Sequence, residues 1–283
     1  MKAIGALAVM AAVLLAGCTS SSSSTADTNP ATPATTSPAP SSAGAGTAAG
    51  CSTSDAKGQC GPYSYPADTA SSGYNTYVGQ NVFNPISGWH QTLHATDPGH
   101  WQVTANMPAG NTAVVSYPST GQGGSGDGTA QRISSYTKIT STFAESMHPN
   151  PGTDAEAAYD IWTATGVEVM IQHDFSALRP RCSAAAGDPV LATVGFAEPG
   201  TGTVQDWQFC QYGKERIWVF AGGSEQSGSV DILAMLTWLM NHGYLPPDSA
   251  LGLVGYGFEI CSTGGKGENF SVSHFSLTAL PNP

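Results

Sequence analysis

The sequence carries little charge. Only 10% of its 283 residues are Asp, Glu, Lys or Arg, and the net charge is −11 at pH 7. Lysine and arginine together number nine, which is too few to build the basic surface that nucleic acids and anionic membranes require. The composition therefore argues against nucleic-acid binding and is compatible with an uncharged ligand.

Several motifs of nucleophile, phosphate and metal chemistry are also missing. There is no Gly-x-Ser-x-Gly segment, and the glycine-rich stretch at 121–128 lacks the lysine of a phosphate-binding loop. His90 and His94 are four residues apart, as in a helical zinc site, but their segment lacks the accompanying Glu and has the pattern of a strand or loop. We therefore expect solvated histidines, no bound metal ion and no cofactor.

The only long apolar run lies at the N-terminus, from Ala3 to Ala16 after Lys2. Its twelve residues from Ile4 to Leu15 would span about 18 Å as a helix, less than the bilayer core of about 30 Å. Residues 1–17 are therefore predicted to be a signal peptide. The run ends in Leu-Ala-Gly-Cys, which resembles the lipobox of bacterial lipoproteins and implies lipid attachment to Cys18. The alternative is ordinary secretory cleavage.

Residues 19–50 consist almost entirely of Ser, Thr, Ala, Pro and Gly. Such a segment cannot bury enough apolar surface to fold, so it is predicted to be a flexible tether. We divide the chain into the signal peptide (1–17), a lipid-anchored tether (18–60) and one folded domain (61–283). The protein is expected to be exported, and either anchored by lipid to the outer face of the cell membrane or secreted.

Disulfides are permitted in an exported protein. The sequence offers one short loop between Cys51 and Cys60 and a second pairing between Cys182 and Cys210. Cys261 is left over and is expected to be a buried thiol.

Most of the remaining chain consists of short β-type segments separated by Gly, Pro and Asn, which predicts an all-β sandwich or jelly roll of two antiparallel sheets. One exception, residues 229–242, has apolar residues at helical spacing and is predicted to be the single α-helix, capped by Ser229.

The predicted strand after this helix is Val-Gly-Tyr-Gly-Phe-Glu-Ile-Cys at 254–261, in which large apolar residues occupy every second position. Its even-numbered residues are all apolar, which predicts one face in a core. On its other face two glycines, Gly255 and Gly257, precede a single carboxylate, Glu259. Bare backbone here would let a substrate lie close to the strand; the alternative is that the glycines accommodate sheet twist or a bulge.

A second carboxylate occupies a matching position in Gly-Val-Glu-Val-Met-Ile-Gln at 166–172. The preceding segment is a suitable hairpin partner. If a three-residue loop at 164–166 joins the two strands, Trp162 pairs with Glu168, and Asp160 and Met170 lie on the same face.

These segments, followed by Asn-His-Gly-Tyr-Leu-Pro at 241–246 and Gly-Phe-Glu at 257–259, resemble glycoside hydrolase family 12. That family contains retaining endo-β-1,4-glucanases and xyloglucanases built on a β-jelly roll with a substrate cleft on its concave face. The resemblance implies a neutral polysaccharide substrate, Glu168 as nucleophile, Glu259 as acid/base, Asp160 as the residue that orients the nucleophile, and Met170 beneath the sugar.

Two positions depart from the family pattern: Gln172 and Phe83 stand where the family has tryptophan. Trp89, Trp162 and Trp207 are further candidates for stacking on sugars, each with core packing as the alternative. The expected function is a retaining endo-acting hydrolase of cellulose-like glucan or xyloglucan, acting as a monomer. A carbohydrate-binding lipoprotein without activity, or a hydrolase of another cell-wall glycan, are the alternatives.

Overall fold

The computed structural model describes residues 50–63, 76–122, 130–176, 182 and 188–282. The signal peptide, Cys18 and nearly all of the tether lie outside these ranges, so their assignments stay predictions. In the described ranges no helix has both the length and the apolar character needed to cross a membrane.

Fifteen strands are present in the described part of the chain. They are β1 (Cys51–Thr53), β2 (Gln59–Tyr63), β3 (Thr76–Gly79), β4 (His90–Asp97), β5 (His100–Asn106), β6 (Ser119–Gln122), β7 (Tyr136–Met147), β8 (Thr153–Thr163), β9 (Glu168–Phe175), β10 (Ala192–Ala197), β11 (Val204–Tyr212), β12 (Glu215–Phe220), β13 (Ser227–Asp231), β14 (Leu251–Thr263) and β15 (Glu268–Pro281).

The strands form two sheets, as the alternating pattern predicts. One has six strands in the order β1-β4-β5-β15-β7-β13, and the other has nine in the order β10-β11-β12-β9-β8-β14-β6-β3-β2. Every pairing is antiparallel except that of β9 with β12, which is parallel. The nine-stranded sheet matters most for the site, because β9, β8 and β14 are adjacent at its centre.

The core lies between the two sheets and is formed by one side of each strand. In β14 the apolar stripe of Val254, Tyr256, Phe258 and Ile260 is fully buried there. The remaining residues of β14 alternate with these, so they lie on the face turned away from the six-stranded sheet. We call this face the outer face of the nine-stranded sheet.

The single helix of the described residues, α1 (Ile232–Asn241), begins later than predicted. Its N-cap is Asp231, whose side chain accepts a hydrogen bond from the Ala234 backbone N–H at 3.0 Å. Ser229 lies in β13 instead, and its hydroxyl donates to the Pro199 carbonyl. The assignment of Ser229 as the cap was therefore wrong, because sheet pairing extends to the residue that caps the helix.

Both predicted disulfides form: Cys51 with Cys60, and Cys182 with Cys210. The expectation of a free thiol at Cys261 was wrong, since this residue is also disulfide-bonded. The domain boundary at residue 61 was placed too late, because β1 pairs with β4 and Gln59 and Cys60 of β2 pair with β3.

Candidate active site

The β8–β9 hairpin brings the first two candidate carboxyl groups onto one face. Trp162 pairs with Glu168, and Asp160 pairs with Met170, as the sequence predicts. The three-residue loop also forms, with Gly166 at φ 77°, a backbone conformation that suits glycine. Because paired residues share a side of the sheet, these four side chains lie on the outer face.

Strand β14 adds the third carboxyl group on the other side of β8. Gly255 pairs with Asp160, and Glu259 pairs with Glu156. The positions Asp160, Glu168 and Glu259, drawn from three neighbouring strands, therefore occupy the same face. Sequence reasoning overlooked Glu156, although it has the same parity along β8 as Asp160 and could have been found from the alternation.

Tyr117 marks the point around which these carboxyl groups are arranged. Its hydroxyl donates to the Ala158 carbonyl at 3.0 Å. Burial raises the pKa of Tyr117 well above its usual value, and the negative charges of Asp160, Glu259 and Glu168 each raise it further. All three acids are thus within electrostatic range of one phenol, which is neutral at physiological pH. Nothing in the sequence singled Tyr117 out.

Asp160 and Glu168 are in direct contact. The Trp162 indole N–H and the Glu168 carboxyl group both hydrogen-bond to Asp160. Burial raises the pKa of Asp160 above its ordinary range, and the two hydrogen bonds partly offset that rise. A hydrogen bond between two carboxyl groups requires a proton on one of them, so Asp160 and Glu168 share one proton in this arrangement.

The glycines that precede Glu259 do not leave open space. A side-chain carbon on Gly257 would lie 2.1 Å from the Pro118 carbonyl oxygen, and one on Gly255 would lie 3.4 Å from the Tyr117 ring. The prediction that these glycines admit a sugar was therefore wrong. They allow residues 117–119 to lie close against β14, where Ser119 pairs with Gly257.

Solved structures provide the comparison for this arrangement. The chain is similar to the xyloglucanase domain of a type three effector from Sinorhizobium fredii, solved with cellobiose (22% identity, TM-score 0.63, covering 81% of this chain and 98% of that one). It is also similar to a family 12 xyloglucanase from Bacillus licheniformis (20%, 0.61, 81% and 99%) and to an endoglucanase from Rhodothermus marinus (19%, 0.62, 82% and 99%).

The fold is that of the family 12 glycoside hydrolases. The predicted β-jelly roll of two sheets with one helix is confirmed. No protein-family model and no curated protein matches the sequence.

The predicted sugar-stacking residues divide between the outer face and the core. Trp162 is on the outer face beside Glu168, and Phe83 packs with Val114 and Cys261 near Glu259. Trp89 is half-buried against the core between the sheets. Trp207 is only 1% exposed and packs with the core, so its assignment to the substrate site was wrong. Trp207 alternates along β11 with residues of the outer face, so its own side chain lies on the core face. Its aromatic character alone did not indicate which face it occupies.

Met170 and Gln172 lie on the outer face but are buried there, so their assignment as substrate contacts was wrong. Met170 is 1% exposed and packs against Cys182, Cys210 and Ile217. The Gln172 amide donates to Glu156 Oε1 at 2.5 Å and approaches Met170 Sδ at 3.9 Å. The position where family 12 has tryptophan thus holds an amide–carboxylate pair in this chain.

Two other places have features of a binding or metal site. A cavity of about 470 Å³ beside α1 is lined by Phe196, Trp238 and Asp231, among others, but Asp231 is its one carboxylate and caps the helix. His90 and His94 are exposed on strand β4, and the described residues contain no cluster of His, Cys, Asp and Glu that could hold a metal ion. The outer face remains the candidate active site.

Proposed function

We propose that the protein is a retaining, endo-acting glycoside hydrolase that cleaves β-1,4-glucan, of the cellulose or xyloglucan type. One observation carries the proposal: Asp160, Glu168 and Glu259 lie on one face of the nine-stranded sheet and act together on the Tyr117 phenol. The shared fold with family 12 enzymes, including one solved with cellobiose, supports it. Paired carboxyl groups are what hydrolysis of a glycosidic bond requires.

In the proposed reaction Glu168 attacks the anomeric carbon while Glu259 gives its proton to the departing oxygen. The bond from carbon to the leaving sugar breaks as the bond to the Glu168 carboxylate forms. Glu259, now ionised, takes a proton from water, and the resulting attack releases Glu168. The anomeric configuration is inverted twice and therefore retained.

Asp160 has the role of orienting Glu168 and keeping it ionised. When the proton that the pair shares lies on Asp160, this carboxyl group donates a hydrogen bond to the Glu168 carboxylate and leaves it free to act as the nucleophile. The hydrogen bond from the Trp162 indole N–H also restrains Asp160. Both contacts limit the rotation of the nucleophile and so favour the geometry for attack.

Trp162 and Phe83 are the proposed contacts for the sugar rings. Neutral sugars bind by stacking on aromatic rings with polar groups at the edges. Trp162 lies beside Glu168, and Phe83 lies near Glu259, so each aromatic ring is next to a different member of the proposed catalytic pair.

The deciding experiment is the release of reducing ends from a panel of polysaccharides. Carboxymethylcellulose, xyloglucan, mixed-linkage glucan and lichenan would be incubated with the wild-type protein and with Glu168→Gln. We expect release from at least one substrate by the wild type and loss of that release in the variant. Binding to these polymers without release would instead identify a carbohydrate-binding protein, and inactivity with no binding would indicate another glycan.

A further inference from the structure

A fourth carboxyl group, Glu156, lies beside the proposed acid/base. Glu156 of β8 and Glu259 of β14 are direct partners in the antiparallel register. Side chains at such positions share a face, with Cβ atoms about 4.5–5.5 Å apart. The two side chains therefore start from neighbouring positions on the outer face, although only Glu259 belongs to the proposed catalytic set.

Glu156 is held in place by Gln172. The Gln172 amide donates a hydrogen bond to Glu156 Oε1 at 2.5 Å, and Glu156 is 2% exposed. The Gln172 N–H therefore fixes the Glu156 carboxyl group through one of its oxygens. The second oxygen, Oε2, is buried without a hydrogen-bond partner, so a substrate does not reach it in this state.

In the part of the chain that the structure describes, Glu156 has an amide donor but no cationic partner. Among the residues that the structure describes, no lysine or arginine forms an ion pair with Glu156. Among the described residues, the other titratable groups near Glu156 on this face are the acids Asp154, Asp160 and Glu168 and the neutral phenol of Tyr117. Buried like charges disfavour ionisation of their neighbours. When Glu156 is ionised, Glu259 must therefore be harder to ionise.

We propose that Glu156, fixed by Gln172, is a positioning residue whose negative charge keeps the neighbouring Glu259 protonated. The role of Glu259 as acid rests on the proposed function, whereas the electrostatic effect on Glu259 does not. In this proposal the charge of Glu156 helps Glu259, as the general acid, to keep its proton near neutral pH.

Glu156→Gln tests the proposal, because it removes the charge while keeping the shape and an oxygen that accepts from Gln172. The primary measurement is the pKa of Glu259, followed through its ¹³C-labelled carboxyl group by NMR in the wild type and the variant. We expect the pKa of Glu259 to fall by about one unit in the variant. Glu268→Gln, at a buried Glu hydrogen-bonded to Thr153 in another part of the fold, is the control and should leave it unchanged.

Turnover gives the second readout. In Glu156→Gln the alkaline limb of the kcat/KM profile should move to lower pH by about the same amount, with little change in KM. If Glu156→Gln fails to fold, Gln172→Leu removes the donor and should produce a smaller shift in the same direction. An unchanged or higher pKa of Glu259 would overturn the proposal. A lowered pKa in a protein that hydrolyses no polysaccharide would instead retain the electrostatic effect and reject the proposed function.

Discussion

Two groups of carboxyl residues lie on opposite faces of the β8–β9 hairpin, and their surroundings differ. On the outer face, Asp160 and Glu168 hydrogen-bond to each other, and Trp162 donates to Asp160. Between the sheets, Glu145 of β7 interacts with Asp174 of β9, and no N–H or O–H group of the described residues donates to either Glu145 oxygen. The outer pair has an indole N–H donor and partial exposure, whereas Glu145 is buried without a donor, so burial dominates its pKa.

The inner group shows what burial does without compensation. Burial and the adjacent Asp174 carboxylate raise the pKa of Glu145 to about 9. His173, next to Asp174 in sequence, cannot supply a positive charge because burial lowers its pKa to about 4. Glu145 is therefore protonated at neutral pH. The comparison indicates that hydrogen-bond donors and access to solvent, rather than residue type, separate a reactive carboxyl group from an inert one.

The largest expected effect is on catalysis at the outer group. Glu168→Gln should lower kcat by about 10³-fold or more, because the amide cannot form the glycosyl intermediate. Glu259→Gln should cause a comparable loss on polysaccharide but a much smaller loss on aryl glycosides, whose leaving groups need no proton. Initial rates on both substrate types check this expectation.

Glu198→Gln is the matched control for those variants. Glu198 lies in the turn after β10, where its carboxylate accepts from the Thr201 hydroxyl, and its substitution should leave both rates unchanged. Full polysaccharide activity in Glu168→Gln or Glu259→Gln would contradict the assignments.

The inner group should affect stability instead. The native state holds a proton on Glu145 up to about pH 9, whereas the unfolded chain releases it near 4.5. Since the native state binds more protons between these values, stability should fall as the pH rises from about 4.5 to 9. Glu145→Gln cannot ionise and can donate to Asp174, so it should raise stability at pH 8, on the order of 4 kcal/mol.

Urea unfolding at pH 5 and pH 8 measures this difference. The gain of Glu145→Gln over the wild type should be small at pH 5 and larger at pH 8, with activity per folded molecule unchanged. An equal effect at both pH values would show that the substitution acts through packing rather than ionisation.

A smaller effect is expected at Phe83, near the Glu259 end of the outer group. Phe83→Trp restores the residue type of family 12 and enlarges the stacking surface. Because aromatic contacts are worth about 0.5–1.5 kcal/mol, KM for cello-oligosaccharides should fall by about two- to tenfold. Kinetics on cellotetraose provide the measurement, and an unchanged KM would remove Phe83 from the substrate site.

The local part of the site could be predicted from the sequence. Parity and loop length together placed Trp162 opposite Glu168, because a hairpin register depends on residues that are near in sequence. The start of α1 was missed, since β13 competes with the helix for the same residues.

Features that depend on distant segments could not be predicted. The space beside Gly257 is filled by residues 118–119, about 140 positions earlier in the chain. The alternation of residues within β14 does not indicate this contact. The same holds for Trp207, whose side of the sheet depends on which neighbour β11 pairs with. Cys261 likewise looked unpaired because sequence spacing does not determine disulfide partners.

The most direct test of the central claim is to trap the covalent intermediate. A 2-deoxy-2-fluoro cellobioside with a good leaving group slows the second step of a retaining reaction, so the glycosyl-enzyme accumulates. Intact mass and peptide mapping should show one sugar per chain, attached to Glu168, and no adduct in Glu168→Gln. Attachment to a different residue, or turnover of a natural glucan with inversion at the anomeric carbon, would contradict the account.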